Sequence, residues 1–417
     1  MKTVVLWMLF CVAFNARVNA LSLHEGHENI ASRRLVTAYW KADGSGDKIK
    51  TQLISAAKND VSTLYKWLKQ GPAYTTDVPC GILEQYNIVK GGVRFPYVLV
   101  VPESYDARKP IAVEFMLHGA VSRARWHAGG KWWGKGAHYE EYLQRDQISV
   151  FPAAWRDAVW WSEDQADNLT GILRTLKSTY NIDDNRVYLS GVSDGGTGTY
   201  FFAFKQPSEW AAFLPYIGHM VVLTLKDEVR VGNIDIENLM NSALFIVNGE
   251  KDSVYPAKSV APFISILEKS KIDHVFTLIP NGGHDIKWFD SLQPTISAFK
   301  ARHLRDPLPE KVRWITDRVD RYARIHWLRV DKLEQRKSPG WISARRKGNR
   351  FTVLTEHVSR FTLLLNPDEV DFSQPIVVVL NGETIFNDTV SQETEILFKW
   401  IKNRDKAQLF TAELTLP

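Results

Sequence analysis

Apolar side chains along this chain gather into short runs, each closed by glycine or polar turn residues. Ile111–Leu117, Val187–Leu189, Ala211–Ile217, Ala243–Val247 and Val275–Ile279 are almost unbroken hydrophobic stretches too short for helices. Such runs predict strands buried on both faces, the signature of a mostly parallel sheet. The aromatic stretch Tyr200 to Phe204 reads as helix, so strands and helices alternate and an open α/β sheet flanked by helices is expected.

The pattern changes on either side of this core. Upstream, Ile49, Leu53, Ile54, Leu64, Trp67 and Leu68 are spaced for one apolar helical face, which predicts a helical extension over residues 21–80 packed on the domain that follows. Residues 81–305 hold the α/β pattern. Residues 306–320 contain Pro307 and Pro309 without a clear apolar period and read as a connector. Beyond them, 324–330, 351–355, 361–365 and 376–380 read as strands, and Asn381-Gly382 is a hairpin turn because both residues tolerate positive φ. Ser391 is the expected cap of a helix through Leu397 and Ile401. A small β-rich accessory domain over residues 321–417 is therefore expected.

Residues 1–20 have a basic start at Lys2, an apolar core from Val4 to Phe14 and a Val18-Asn19-Ala20 end suited to signal peptidase. The expectation is an exported protein, secreted or periplasmic, with no membrane span, since no later stretch reaches the roughly 20 apolar residues such a helix requires. Cys11 leaves with that segment and Cys80 remains as the sole thiol, which excludes an internal disulfide. The chain carries 52 basic and 47 acidic side chains, an excess too small and too dispersed for a nucleic-acid or anionic-membrane partner.

Candidate chemistry sits at the ends of the apolar runs. Gly191-Val192-Ser193-Asp194-Gly195 follows a strand and precedes a helix, the arrangement of a nucleophile elbow that lifts a serine hydroxyl clear of the sheet. Ser193 needs an imidazole to take its proton and a carboxylate to orient that imidazole. Asp252 and His284 follow in that order, each just past the carboxyl end of a predicted strand, where an open α/β sheet places its ligands. His219 is the runner-up base or a pocket wall, and Asp285 and Glu250 are fallback acids. His274 precedes its strand and belongs at the opposite edge. An oxyanion hole is expected from the backbone N–H of Asp194 and, after the turn at His118-Gly119, from that of Ala120 or Val121, with Ala120 preferred. His24-x-x-His27 gives no convincing metal pair, and no phosphate loop or dinucleotide fingerprint is present.

These residues resemble the α/β-hydrolase family, through Leu117-His118-Gly119-Ala120, the elbow from Gly191 to Gly196, Asn248 to Asp252, and Gly282-Gly283-His284. Within it, Tyr97 to Asp106 resembles the lead-in of secreted esterases of the polyhydroxybutyrate-depolymerase and feruloyl-esterase type, and of prolyl-oligopeptidase catalytic domains. The resemblance implies a mostly parallel sheet flanked by helices, a Ser193, His284, Asp252 triad and no cofactor. The roughly sixty residues before the domain are far fewer than a β-propeller built from blades of about 40 residues requires, which sets the chain apart from the oligopeptidases.

Six of the 15 tryptophans, Trp126, Trp132, Trp133, Trp155, Trp160 and Trp161, fall among glycine-interrupted segments between 126 and 161. Trp126, Trp132, Trp133, Trp160 and Trp161, with His118 and His219, are the candidate substrate-binding residues, since flat rings near the catalytic edge stack on sugars or aromatic acyl groups. The sequence thus points to a secreted serine hydrolase of carboxylic esters, possible substrates being polysaccharide-linked or plant-derived. A peptidase or amidase using the same residues, and a non-catalytic glycan-binding protein, are the alternatives.

Overall fold

The computed structural model describes residues 30–42, 46–125, 139–225, 231–335 and 338–417. They divide into two compact units. The larger, residues 74–392 with 410–417, is built on an eight-stranded sheet with strand order β1-β2-β4-β3-β5-β6-β7-β8. These strands are β1 (Gly81–Ile88), β2 (Arg94–Val101), β3 (Ile111–Leu117), β4 (Gln147–Pro152), β5 (Ile182–Val192), β6 (Ala212–Tyr216), β7 (Leu244–Gly249) and β8 (His274–Ile279). From β4 through β8 every neighbouring pair is parallel, and β2 alone runs against the rest. This is the α/β-hydrolase fold that the resemblance implies.

Alternate side chains of each strand serve opposite faces. On β3, Val113, Phe115 and Leu117 join one core with Phe201, Phe202 and Phe204. These three aromatics belong to the helix Asp194–Lys205. Ala112 faces the other core, with Phe245, Val247, Trp288 and Phe299. The one charged residue in the β3 run, Glu114, is 2% exposed and accepts hydrogen bonds from Lys300 Nζ and Gln147 Nε2, both at 2.8 Å. Burial alone would raise its carboxyl, but the Lys300 ammonium and these bonds hold it down at about 2.

The same unit carries two further sheets, ordered β10-β11-β14-β17 and β16-β15-β13-β12-β9. Their strands are β9 (Lys311–Thr316), β10 (Arg324–Ile325), β11 (Leu328–Leu333), β12 (Gly340–Lys347), β13 (Arg350–Glu356), β14 (Val358–Leu365), β15 (Ile376–Leu380), β16 (Glu383–Asp388) and β17 (Ala412–Leu416). Asn381 and Gly382, at φ 50° and 95°, close the β15–β16 hairpin. Strand β9 lies inside the stretch read as a connector. Its Val312, Trp314 and Thr316 are buried in alternation, a period too short and too interrupted by Lys311 and Arg313 to stand out between prolines. Ile315 exchanges both backbone bonds with the Asn238 side chain (N–H to Oδ1 2.8 Å, Nδ2 to O 3.0 Å), tying β9 to the turn Ile236–Asn241.

The smaller unit combines the chain up to Ala73 with Glu393–Leu409. It contains α1 (30–41), α2 (Asp47–Ala56), α3 (Val61–Gln70) and a late helix, Thr394–Ile401. Leu53, Leu64 and Leu68 pack with Val36, Trp40, Leu397, Phe398 and Ile401 in one core. Lys50 pairs with Glu395 at 2.6 Å. The late helix starts from Glu393, which makes no side-chain cap, so Ser391 lies two residues too early to cap it.

Candidate active site

Backbone crowding at the end of β5 decides the conformation of Ser193. It occupies φ 58°, ψ −118°, a region that non-glycine residues rarely adopt. A Cβ at Gly191 would stand 2.2 Å from Gly195 O, and one at Gly195 would stand 2.1 Å from Leu117 O. Only glycine therefore permits this turn. The Ser193 N–H donates to Tyr216 O on β6 at 2.9 Å.

 Helix α5 (Asp194–Lys205) follows directly, its Thr197 N–H donating to Ser193 O at 3.0 Å, while α4 (Glu163–Thr179) precedes β5 in the chain.

Three side chains from three strand ends form a hydrogen-bonded line. Ser193 Oγ lies 2.9 Å from His284 Nε2, and His284 Nδ1 lies 2.8 Å from Asp252 Oδ2. The other carboxylate oxygen, Asp252 Oδ1, accepts the N–H groups of Val254 and Tyr255, both at 2.8 Å. With Nδ1–H donating to the carboxylate, Nε2 presents its lone pair to the serine hydroxyl; this tautomer is the one its partners dictate. The Asp252 side chain is fully buried, whereas that of His284 keeps 21% of its surface exposed.

The loop after β3 faces the elbow. Ala120 adopts φ 59°, and the N–H of Val121 is taken by Asp194 Oδ2 at 2.9 Å. Of the two amides considered for the second oxyanion donor, that leaves Ala120. The first N–H groups of a helix have no partner within it, and Asp194 opens α5.

His118 does something other than meet a substrate. Its Nδ1 donates to Gly119 O at 2.7 Å and its Nε2 accepts from Ala154 N at 3.0 Å, so both ring nitrogens are committed to backbone. Burial pushes its pKa down to about 4, which keeps the ring neutral. Trp160 is also withdrawn from the surface, 0% exposed, with its indole N–H donating to His118 O at 2.8 Å. Trp161 is partly buried against the main core, and Trp155 is buried and stacked on Phe95. Trp126, Trp132 and Trp133 lie outside the described residues, as do His24 and His27.

His219 comes to the correct edge of the sheet, but its nitrogens are also engaged. Nδ1 accepts from Val221 N at 3.1 Å, and Nε2 lies 3.2 Å from Ser259 Oγ. Between it and His284 stands Tyr255, whose ring centroid is 5.5 Å from each imidazole. Sequence reasoning missed Tyr255. Its only signal was its place three residues after Asp252, whose Oδ1 accepts its N–H. Among the fallback acids, Asp285 pairs with Lys287 and Glu250 accepts from Asn281 N. His274 opens β8 at the far edge and bonds Ile272 O.

Among the described residues no group of three or more His, Cys, Asp or Glu is placed to hold a metal, and no helix is long and apolar enough to cross a membrane. No family model and no curated protein matches the chain. Similar solved structures include a thermostable esterase (20% identity, TM-score 0.43, 54% of this chain and 63% of that one). A ferulic acid esterase has 16% identity and a TM-score of 0.42 over 53% of this chain and 98% of that one. An acylaminoacyl peptidase from Pyrococcus horikoshii has 15% identity and a TM-score of 0.41 over 55% of this chain and 43% of that one. The fold assignment rests on the strand order itself.

Proposed function

We propose that this chain is an exported serine hydrolase that cleaves carboxylic esters through an acyl-enzyme. The supporting observation is the line from Ser193 Oγ through His284 to buried Asp252, at 2.9 and 2.8 Å, on a serine held in a strained turn. In this reading His284 Nε2 takes the hydroxyl proton as Oγ bonds to the ester carbonyl carbon, and Asp252 stabilises the resulting imidazolium. The backbone N–H groups of Asp194 and Ala120 receive the negative oxygen. His284 then protonates the departing alcohol, water attacks the acyl-enzyme with the same histidine as base, and the acid leaves.

Export is read from the pattern of residues 1–20. The substrate side of the proposal is an aromatic or sugar-linked ester, and with Trp160 buried its weight falls on Trp126, Trp132, Trp133 and the partly buried Trp161. A panel of acetyl, butyryl, feruloyl and peptide substrates tests the reading. Turnover of esters with little on peptides is expected; peptide cleavage exceeding ester cleavage would make the chain a peptidase, and no turnover at all would remove the hydrolase reading.

A further inference from the structure

The loop His118-Gly119-Ala120-Val121 must hold a backbone conformation it would not choose. Ala120 sits at φ 59°, where a side chain crowds the following carbonyl, a strain that a residue other than glycine must carry. Two devices oppose relaxation. At its start the His118 ring bridges Gly119 O and Ala154 N. At its end the Val121 N–H donates to Asp194 Oδ2 at 2.9 Å, a bond to a charged acceptor and so of the stronger kind.

We propose that Asp194 is a positioning residue whose carboxylate latches the β3 loop to the elbow and so sets the aim of the Ala120 amide. The inference rests on the serine hydrolase reading and adds a second role to Asp194, whose backbone N–H is already one of the two donors there. One residue thereby joins both halves of the oxyanion hole: its N–H from α5 and, through its side chain, the amide from the loop. Because the latch consumes the Val121 N–H, that amide is withheld from the hole and Ala120 serves it from this loop. A preorganised donor acts only if it is already aimed when the charge develops, so loss of the latch should appear in the chemical step and not in ground-state binding.

The test compares Asp194→Ala and Asp194→Asn with wild type on p-nitrophenyl acetate, together with inhibition by an aryl trifluoromethyl ketone, which forms a tetrahedral oxyanion on the serine. Removing one oxyanion donor outright lowers kcat by about 10²–10³, so loosening one should lower it by about 10–100-fold. Asp194→Ala should show that loss in kcat with KM within about threefold, and should bind the ketone more weakly by the same factor. Asp194→Asn keeps an oxygen for the Val121 N–H and should recover kcat to within about fivefold of wild type. If Asp194→Ala does not fold, Asp194→Ser, whose shorter side chain cannot span to Val121, takes its place with the same expectation. Unchanged kcat in a folded Ala or Ser variant overturns the latch, and so does an Asn variant as impaired as Ala. Wild-type protein that neither turns over esters nor reacts with a fluorophosphonate removes the hydrolase reading and this inference with it; active wild type beside an unaffected variant removes the inference alone.

Discussion

At the scale of single residues, the division of labour among the histidines can be measured. His284 is the imidazole whose free lone pair faces Ser193, while His219 has both nitrogens engaged by Val221 and Ser259. His284→Ala should lower kcat by orders of magnitude with the fold retained, whereas His219→Ala should act on KM or stability; the reverse pattern in steady-state kinetics would transfer the base role. Ser193→Ala should abolish labelling by a fluorophosphonate probe, read on a gel, and persistent labelling would place the nucleophile elsewhere. His118 makes a separate prediction about stability. Its folded pKa of about 4 lies below the ordinary 6.5, so the unfolded chain binds more protons between these values. This contribution is complete above pH 6.5, declines as pH falls toward 4 and is then exhausted, amounting to about 3 kcal/mol at about 1.4 kcal/mol per unit. Denaturant titrations across that window should show the decline in wild type and a flatter profile in His118→Asn.

Elements explain what could and could not be read in advance. Ser193, Asp252 and His284 were legible as a set because each ends a continuous apolar run, and parallel strands buried on both faces leave such runs. The burial of Trp160 was not legible. A dense aromatic segment broken by glycines has the same sequence whether its rings face solvent or a helix, and here the indole N–H found the His118 carbonyl. Strand β9 was hidden for a different reason: its alternation of buried Val312, Trp314 and Thr316 is short and broken by Lys311 and Arg313, and its further tie through Ile315 is to a side chain, Asn238, which no backbone periodicity announces. That bond pair gives a direct test. Asn238 is 1% exposed, and Asn238→Ala would leave the partly buried N–H and C=O of Ile315 without these partners, at up to about 1–3 kcal/mol for each group left unpaired. Chemical denaturation should show that loss, and a cost below 0.5 kcal/mol, within the ordinary range of surface changes, would mean that water replaces the amide.

On the scale of the molecule, neither compact unit is closed by a single stretch of chain. Residues 410–417 return to the larger unit after the helix Thr394–Ile401 has joined the smaller one, and β17 completes the sheet beside β14. Deleting residues 321–417 would remove β12, the sheet partner of β9, and would take Leu397, Phe398 and Ile401 out of the core they share with Leu53, Leu64 and Leu68. Such a truncation should aggregate or melt well below the full chain in thermal unfolding, and a monodisperse truncation of unchanged Tm would show that these contacts are dispensable. The split smaller unit also sets a clock on biosynthesis. Its first helices leave the ribosome more than 300 residues before their last packing partner at Glu393–Leu409 has been made, a wait of roughly 15–60 s at about 5–20 residues per second. Throughout that interval the apolar faces of Val36, Trp40, Leu53 and Leu64 have no complete core to enter, so these early helices are surfaces a chaperone would have to shield until the chain is almost finished.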